Sequence, residues 1–218
     1  MKTSLTFRFT ANLALAAWLG VLAGCASKGY DKAAATGTAL QATAQQISLG
    51  SAQLTDTLAF LNNLVERPQA DLRPGFETFA TALDRLQSLA RDVNDKATDM
   101  QAKGQDYFAE WNQQLATIHN EDIRARSAER QQEVAARFQT INSHYQEANA
   151  AFKPLMSDLQ DIRTALSNDL TAGGIASIKQ MATKANQEAP PIKKTFGKLS
   201  ADFKALGLSL SAVAPAPK

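Results

Sequence analysis

Between Leu72 and Leu166 apolar or small residues recur in alternating steps of four and three, and no other feature restricts the fold of this chain as much. The first arm carries Leu72, Phe76, Phe79, Leu83, Leu86, Ala90, Val93, Ala97, Met100, Gly104, Tyr107 and Trp111. After the polar break His119-Asn120-Glu121-Asp122 the second arm carries Val134, Phe138, Ile141, Tyr145, Ala148, Phe152, Leu155, Leu159, Ile162 and Leu166. Such a 4-3 alternation is the heptad seam along which one helix winds against another. It predicts two helices of about 45 residues, each roughly 70 Å long at 1.5 Å per residue, folded back on each other at the break.

The same spacing flanks this hairpin on both sides. Upstream it takes in Leu40, Ala44, Ile47, Ser51, Leu54, Leu58, Leu61 and Val65, and runs back through Gly37, Ala33 and Tyr30. Arg67-Pro68 ends that helix, because a residue before proline is pushed out of the helical region. Asp71 is the expected N-cap of the second helix, with Pro74 in the first turn, where a missing N–H costs little. The second helix is expected to reach about Ile118, and the third to run from about Asp122 to Asn168. Gly173-Gly174 then suits a reversal, and Ile175, Ile178, Ala182, Ala185, Ala189, Ile192, Phe196, Leu199, Phe203 and Leu206 form a fourth seam. The predicted fold class is all-α: a long antiparallel up-down-up-down helical bundle, or coiled coil, with an overhanging helical hairpin. Its predicted divisions are a signal peptide over 1–24, a tether over 25–30, one bundle domain over 31–208 and a disordered tail over 209–218.

The register follows from the turns. A fold about residues 120–121 sets Gly104 against Phe138, Ala97 against Tyr145 and Ala90 against Phe152, a small residue facing a large one at each level, as close packing requires. The turn near Pro68 sets Leu83 against Leu54 and Phe79 against Leu58, and the turn near Ala172 sets Phe196 against Ala148. Pro154 falls opposite Pro190-Pro191, which predicts a shared bend or a break of the fourth helix into two pieces.

The N-terminus gives an address. Lys2 and Arg8 precede an apolar run from Phe9 to Leu22, too short for a comfortable membrane span of about 20 residues and suited to the core of a secretory signal. Leu22-Ala23-Gly24-Cys25 then matches the bacterial lipobox, in which the cysteine is acylated and becomes the mature N-terminus. Cys25 is the only cysteine, so the fold is expected to have no disulfide. Ala26-Ser27 carries no aspartate at the second position, which in a two-membrane bacterium points to the outer membrane, facing the periplasm. Of 23 basic residues processing removes Lys2 and Arg8, leaving 21 against 21 acidic ones. That balance argues against nucleic-acid binding.

Signals for chemistry are sparse. His119 sits at the predicted tip and His144 far along the third helix, so the two cannot share a metal. There is no Walker loop, nucleophile elbow, His-Glu-x-x-His or dinucleotide fingerprint. No enzyme activity, cofactor or metal site is expected. The charge cluster from Glu121 to Arg137 contains Asp122–Arg126 and Glu133–Arg137 at i,i+4, the pattern of a self-neutralising solvated face.

Several segments resemble an uncharacterised family of bacterial envelope lipoproteins, a domain of unknown function with predicted coiled coils. They are the lipobox, Asp71-Leu72-Arg73, Tyr107 to Trp111, Arg126-Ser127-Ala128-Glu129-Arg130-Gln131, and Ile175-Ala176-Ser177-Ile178-Lys179. The resemblance covers most of the mature chain and implies a fold and a location, with no activity. Pro74-Gly75 and Pro190-Pro191 depart from it.

The expected function is therefore a non-enzymatic envelope lipoprotein acting as scaffold, spacer or protein-interaction module. The alternative is an accessory component of an envelope transport or channel complex, which normally carries β-rich domains that this sequence does not signal. Its expected partners are the membrane, through the lipid, and a second envelope protein or another copy of the chain. One contact surface is expected. Helix one, begun at Tyr30, should reach only the level of Tyr107, and helix four should end near Phe138. The hairpin then overhangs by about ten residues, exposing Phe108, Trp111, Ile118 and Ile123 beside Arg124, Arg126 and Arg130. Aromatics beside arginines suit a lipid headgroup layer or a partner protein.

Overall fold

The computed structural model describes residues 29–211, and these form four helices: α1 (Gly29–Glu66), α2 (Arg73–Leu115), α3 (Glu121–Asn168) and α4 (Ala172–Ser209). Each packs on the next, α1 also packs on α4, and neither diagonal pair makes contact, so the helices stand at the corners of a square. This is the up-down-up-down antiparallel bundle the heptads predict.

The turns differ from expectation in detail, each for a local reason. Asp71 does not cap α2 in the usual way. Pro74 offers no N–H in the first turn, and the Asp71 carboxylate instead accepts the Arg73 backbone N–H at 3.1 Å and the Arg73 guanidinium at 2.9 Å. Helix α2 stops at Leu115, three residues before the expected Ile118. There Thr117 N–H and its hydroxyl both donate to the Gln114 carbonyl, at 3.0 and 2.8 Å, tightening the last turn. Asn120 caps α3, its side-chain oxygen accepting from Ile123 N–H at 3.0 Å, and Glu121 and Asp122 lie in the first turn, where negative charge is favoured.

Gly173-Gly174 is not the reversal itself. Thr171 caps α4 by accepting from Gly174 N–H at 3.2 Å, so both glycines are helical. Gly174 is required by a close approach: a Cβ there would lie 1.9 Å from the Asp169 carbonyl oxygen. Helix α4 also runs unbroken through Pro190 and Pro191, and α3 through Pro154. Pro154 and Pro191 do line one groove, so the prolines share a level as the register predicts.

That register holds at several points. Phe138 faces Gly104 so closely that a Cβ on the glycine would sit 2.2 Å from the ring tip. Phe196 packs edge-on against Phe152 with centroids 5.5 Å apart, one turn along α3 from the expected Ala148. Large side chains such as Phe138, Tyr145 and Phe152 fill α3's inner face and hold α2 and α3 apart. Helix α1 offers mainly Ala, Thr, Ser and Gly between its leucines, and it lies closest to its neighbours, backbone nearly touching backbone at Gly37 and Gly207.

Candidate functional site

The end of the bundle that holds the α2–α3 turn also holds the start of α1 and the end of α4. Cys25 lies outside the described residues, four positions before Gly29. Gly29 meets the Gln114 side chain, which itself donates to Glu110 at 2.9 Å, and Lys32 bonds Glu110 at 3.2 Å. Helix α1 thus reaches Glu110 and Gln114, about one to two turns past the expected level of Tyr107. It does so because its small residues continue to its first turn and keep it against α2. Helix α4 ends where the register put it: Leu206 lies beside Ile141, and Leu210 joins the cluster that contains Phe138. From there α3 runs on alone with α2 for about 16 residues, roughly 25 Å. The overhang is therefore long on the α4 side and short on the α1 side.

The candidate contact residues in this overhang do not form one surface. Trp111 is half-buried, its indole N–H donating to Ser127 Oγ at 3.1 Å, with the Tyr107 ring tilted against it at a centroid distance of 5.4 Å. Phe108 packs edge-on against Phe138 at 5.6 Å. Both aromatics thus help join α2 to α3, so the pair covers more of its own apolar surface than the heptads alone suggest. Ile118 is half-buried, and Ile123 stands out at 58% exposed.

The arginines are separated in the same way. Arg124 donates to the Ile118 carbonyl at 3.2 Å and faces Glu121 at 3.8 Å, closing the turn. Arg130 pairs with Glu133 at 2.7 Å, and Arg137 binds the other oxygen of the same carboxylate at 2.7 Å. Hydrogen bonding from Arg130 holds the Glu133 carboxyl below its usual range, and Lys32 does the same for Glu110. The predicted Glu133–Arg137 pair forms, whereas Asp122 sits in α3's first turn and is not paired with Arg126 among the described residues. Arg126 is exposed and makes no ion pair there. His119 is exposed at the tip, and His144 lies 25 residues away in a groove with Asp202 and Arg137.

Among the described residues no group of three His, Cys, Asp or Glu is placed to hold a metal ion. No described helix is long and apolar enough to cross a membrane.

The heptad reading misses the polar ties between helices. Thr36, Thr43 and Thr57 of α1 are fully buried; Thr36 donates to the Lys103 carbonyl of α2 at 3.0 Å, while Thr43 and Thr57 share their protons between their own helix, Ala39 and Gln53 at 2.9 and 2.8 Å, and the α2 carbonyls of Lys96 and Ala82 at 3.3 and 3.2 Å. On the other side, the Ser48 and Ser200 hydroxyls meet at 2.8 Å, and Asn62 and Asn186 bond each other. Threonines seven apart, beside the apolar seam, were the signal available.

The profile of a family described as "Protein of unknown function (DUF2959)" matches residues 25–198, from Cys25 through most of α4. The chain belongs to this family. No curated protein and no solved structure matches it. The DUF2959 match covers the whole α2–α3 hairpin and stops short only of α4's last turns.

Proposed function

We propose that this DUF2959 protein is a non-enzymatic scaffold or spacer of the bacterial envelope, acylated at Cys25 and held by that lipid on the periplasmic face of the outer membrane. The observation that carries this reading is the position of α1's first turn. Gly29 lies against Gln114 at the hairpin end, four residues after the lipobox cysteine, and a link that short spans at most about 14 Å. An acyl anchor there would plant the bundle by its hairpin end and carry the Pro68 turn about 65 Å away, the length of α2. Several acyl chains on one cysteine anchor a protein stably, which a single chain does not. The family match beginning at Cys25 supports the same reading.

The hairpin tip would then lie within reach of the headgroups. Its contact rests on Ile123, with Arg126 the cation best free to meet a phosphate. Trp111, Phe108, Arg124 and Arg130 hold the hairpin together behind them.

The test is metabolic labelling of cells with radioactive palmitate followed by separation of the two membranes. The native chain is expected to be labelled and to fractionate with the outer membrane, and Cys25→Ala to lose the label and leave that fraction. Label retained in Cys25→Ala, or absent from the native chain, would overturn the anchor.

A further inference from the structure

The four helices do not share one continuous core. One buried cluster includes Leu54, Phe79, Leu155 and Ile175, and the other Leu40, Ala97, Phe138 and Phe203, with Phe196 leaning on both. Where they meet lies a cavity of about 40 Å³, bounded by all four helices and including Gly50, Leu89, Val93, Tyr145, Phe152 and Phe196 in its wall.

Three further features fall at this level. The first is a gap in the threonine ladder. Thr36, Thr43 and Thr57, and the α2 carbonyls they face at Lys103, Lys96 and Ala82, are spaced by seven and then by fourteen residues. The absent rung would join position 50 to position 89, and position 50 is a glycine without a hydroxyl to donate. The second is that α4 also carries a glycine at the same height, where the Ser48–Ser200 contact is its hydroxyl tie to α1. The Ser48–Ser200 and Asn62–Asn186 bonds bring Gly197 level with Gly50, and a Cβ on either glycine would meet nothing within 4 Å. Packing therefore demands neither glycine, and each weakens its helix relative to alanine. The third lies one turn before Gly50, where the side-chain oxygen of Gln46 is buried with no donor, a state that favours any opening that admits water.

We propose that this level is a hinge, at which α1 and α4 open locally and admit water to Gln46 while the packed halves on either side stay folded. The void, the missing tie, the two glycines and the unpaired acceptor each lower the free energy of opening at one place, and local opening follows the weakest contacts. Pro154 and Pro191, under two turns further along, leave α3 and α4 with fewer backbone bonds on the same stretch. The hinge divides a half that carries the N-terminus and hairpin tip from a half that carries the other two turns. It does not depend on acylation.

Hydrogen exchange of the full-length chain in detergent micelles, followed by mass spectrometry and corrected for intrinsic rates, tests it. Amides over 46–53 and 194–200 are expected to exchange at least about tenfold faster than those over 36–43 and 57–64. Gly50→Ala with Gly197→Ala should slow the hinge amides by about tenfold and raise Tm by about 3–6 °C. Exchange over 46–53 no faster than in the flanks would overturn the hinge. So would a double variant in which exchange over 46–53 and 194–200 is as fast as in the native chain.

Discussion

Gly104 shows how one residue sets the distance between two helices. It lies opposite Phe138, in a space where an added Cβ would meet the ring at 2.2 Å. Gly104→Ala should therefore destabilise the bundle by about 1–3 kcal/mol through overpacking, despite alanine's better helix propensity. Chemical denaturation checks this: the loss should shrink when Phe138→Leu is added, and an unchanged midpoint for the single variant would mean that the ring moves aside freely. This pairing was legible from the sequence, because counting outward from the turn sets a glycine against a phenylalanine. The threonine ladder was not. Threonine counts as polar in a heptad reading, and Thr43 can be buried because its hydroxyl finds carbonyls on both sides, Ala39 of its own helix and Lys96 of α2. The candidate contact residues were legible as a set but not as separate roles. Sequence places Trp111 and Arg130 at the tip, whereas the hydrogen bond to Ser127 and the pair with Glu133 depend on which way each side chain turns.

At the scale of an element, α1 needs something to fix it along α4, since a seam of alanines and leucines fits nearly as well after a slip of one heptad. The Asn62–Asn186 pair supplies it, with the two amides bonding each other at 2.9 and 2.6 Å in a half-buried position. A single polar pair in an apolar seam fixes register at a cost in stability. Asn62→Leu alone should destabilise by about 1–3 kcal/mol, because it leaves the Asn186 side-chain oxygen without its donor while the amide nitrogen keeps its bond to the Ala182 carbonyl. Asn62→Leu with Asn186→Leu should recover that loss in thermal melts while broadening the cross-links formed between α1 and α4. A double variant as unstable as the single one would contradict the register role. Helix ends were the least legible feature at this scale. Proline and glycine signal a boundary, but the Asp71 carboxylate turns to Arg73, and Gly173-Gly174 enters the helix because Thr171 caps it. Pro190-Pro191 leaves α4 continuous, held by packing of Ala189 and Ile192 on either side.

For the whole molecule, an even number of long antiparallel helices puts the start of α1, the end of α4 and the α2–α3 tip at one end. That consequence was available from the sequence, because short turns leave antiparallel neighbours as the only arrangement. What the sequence could not supply was how far each flanking helix climbs the hairpin. Lys32 reaching Glu110 and Leu210 stopping beside Phe138 depend on the packed spacing of four helices. With the proposed anchor at Cys25, the bundle stands on its hairpin end and the Pro68 turn is held far from the membrane. The most direct test places a spin label at Ile123→Cys in one full-length acylated sample and at Gln69→Cys in another, each in vesicles that carry a nickel-chelating headgroup. An upright bundle gives strong relaxation of the label at 123 and almost none at 69, about 65 Å along α2 from the hairpin end. Equal relaxation at both positions, as for a bundle lying flat, or stronger relaxation at 69, would contradict it.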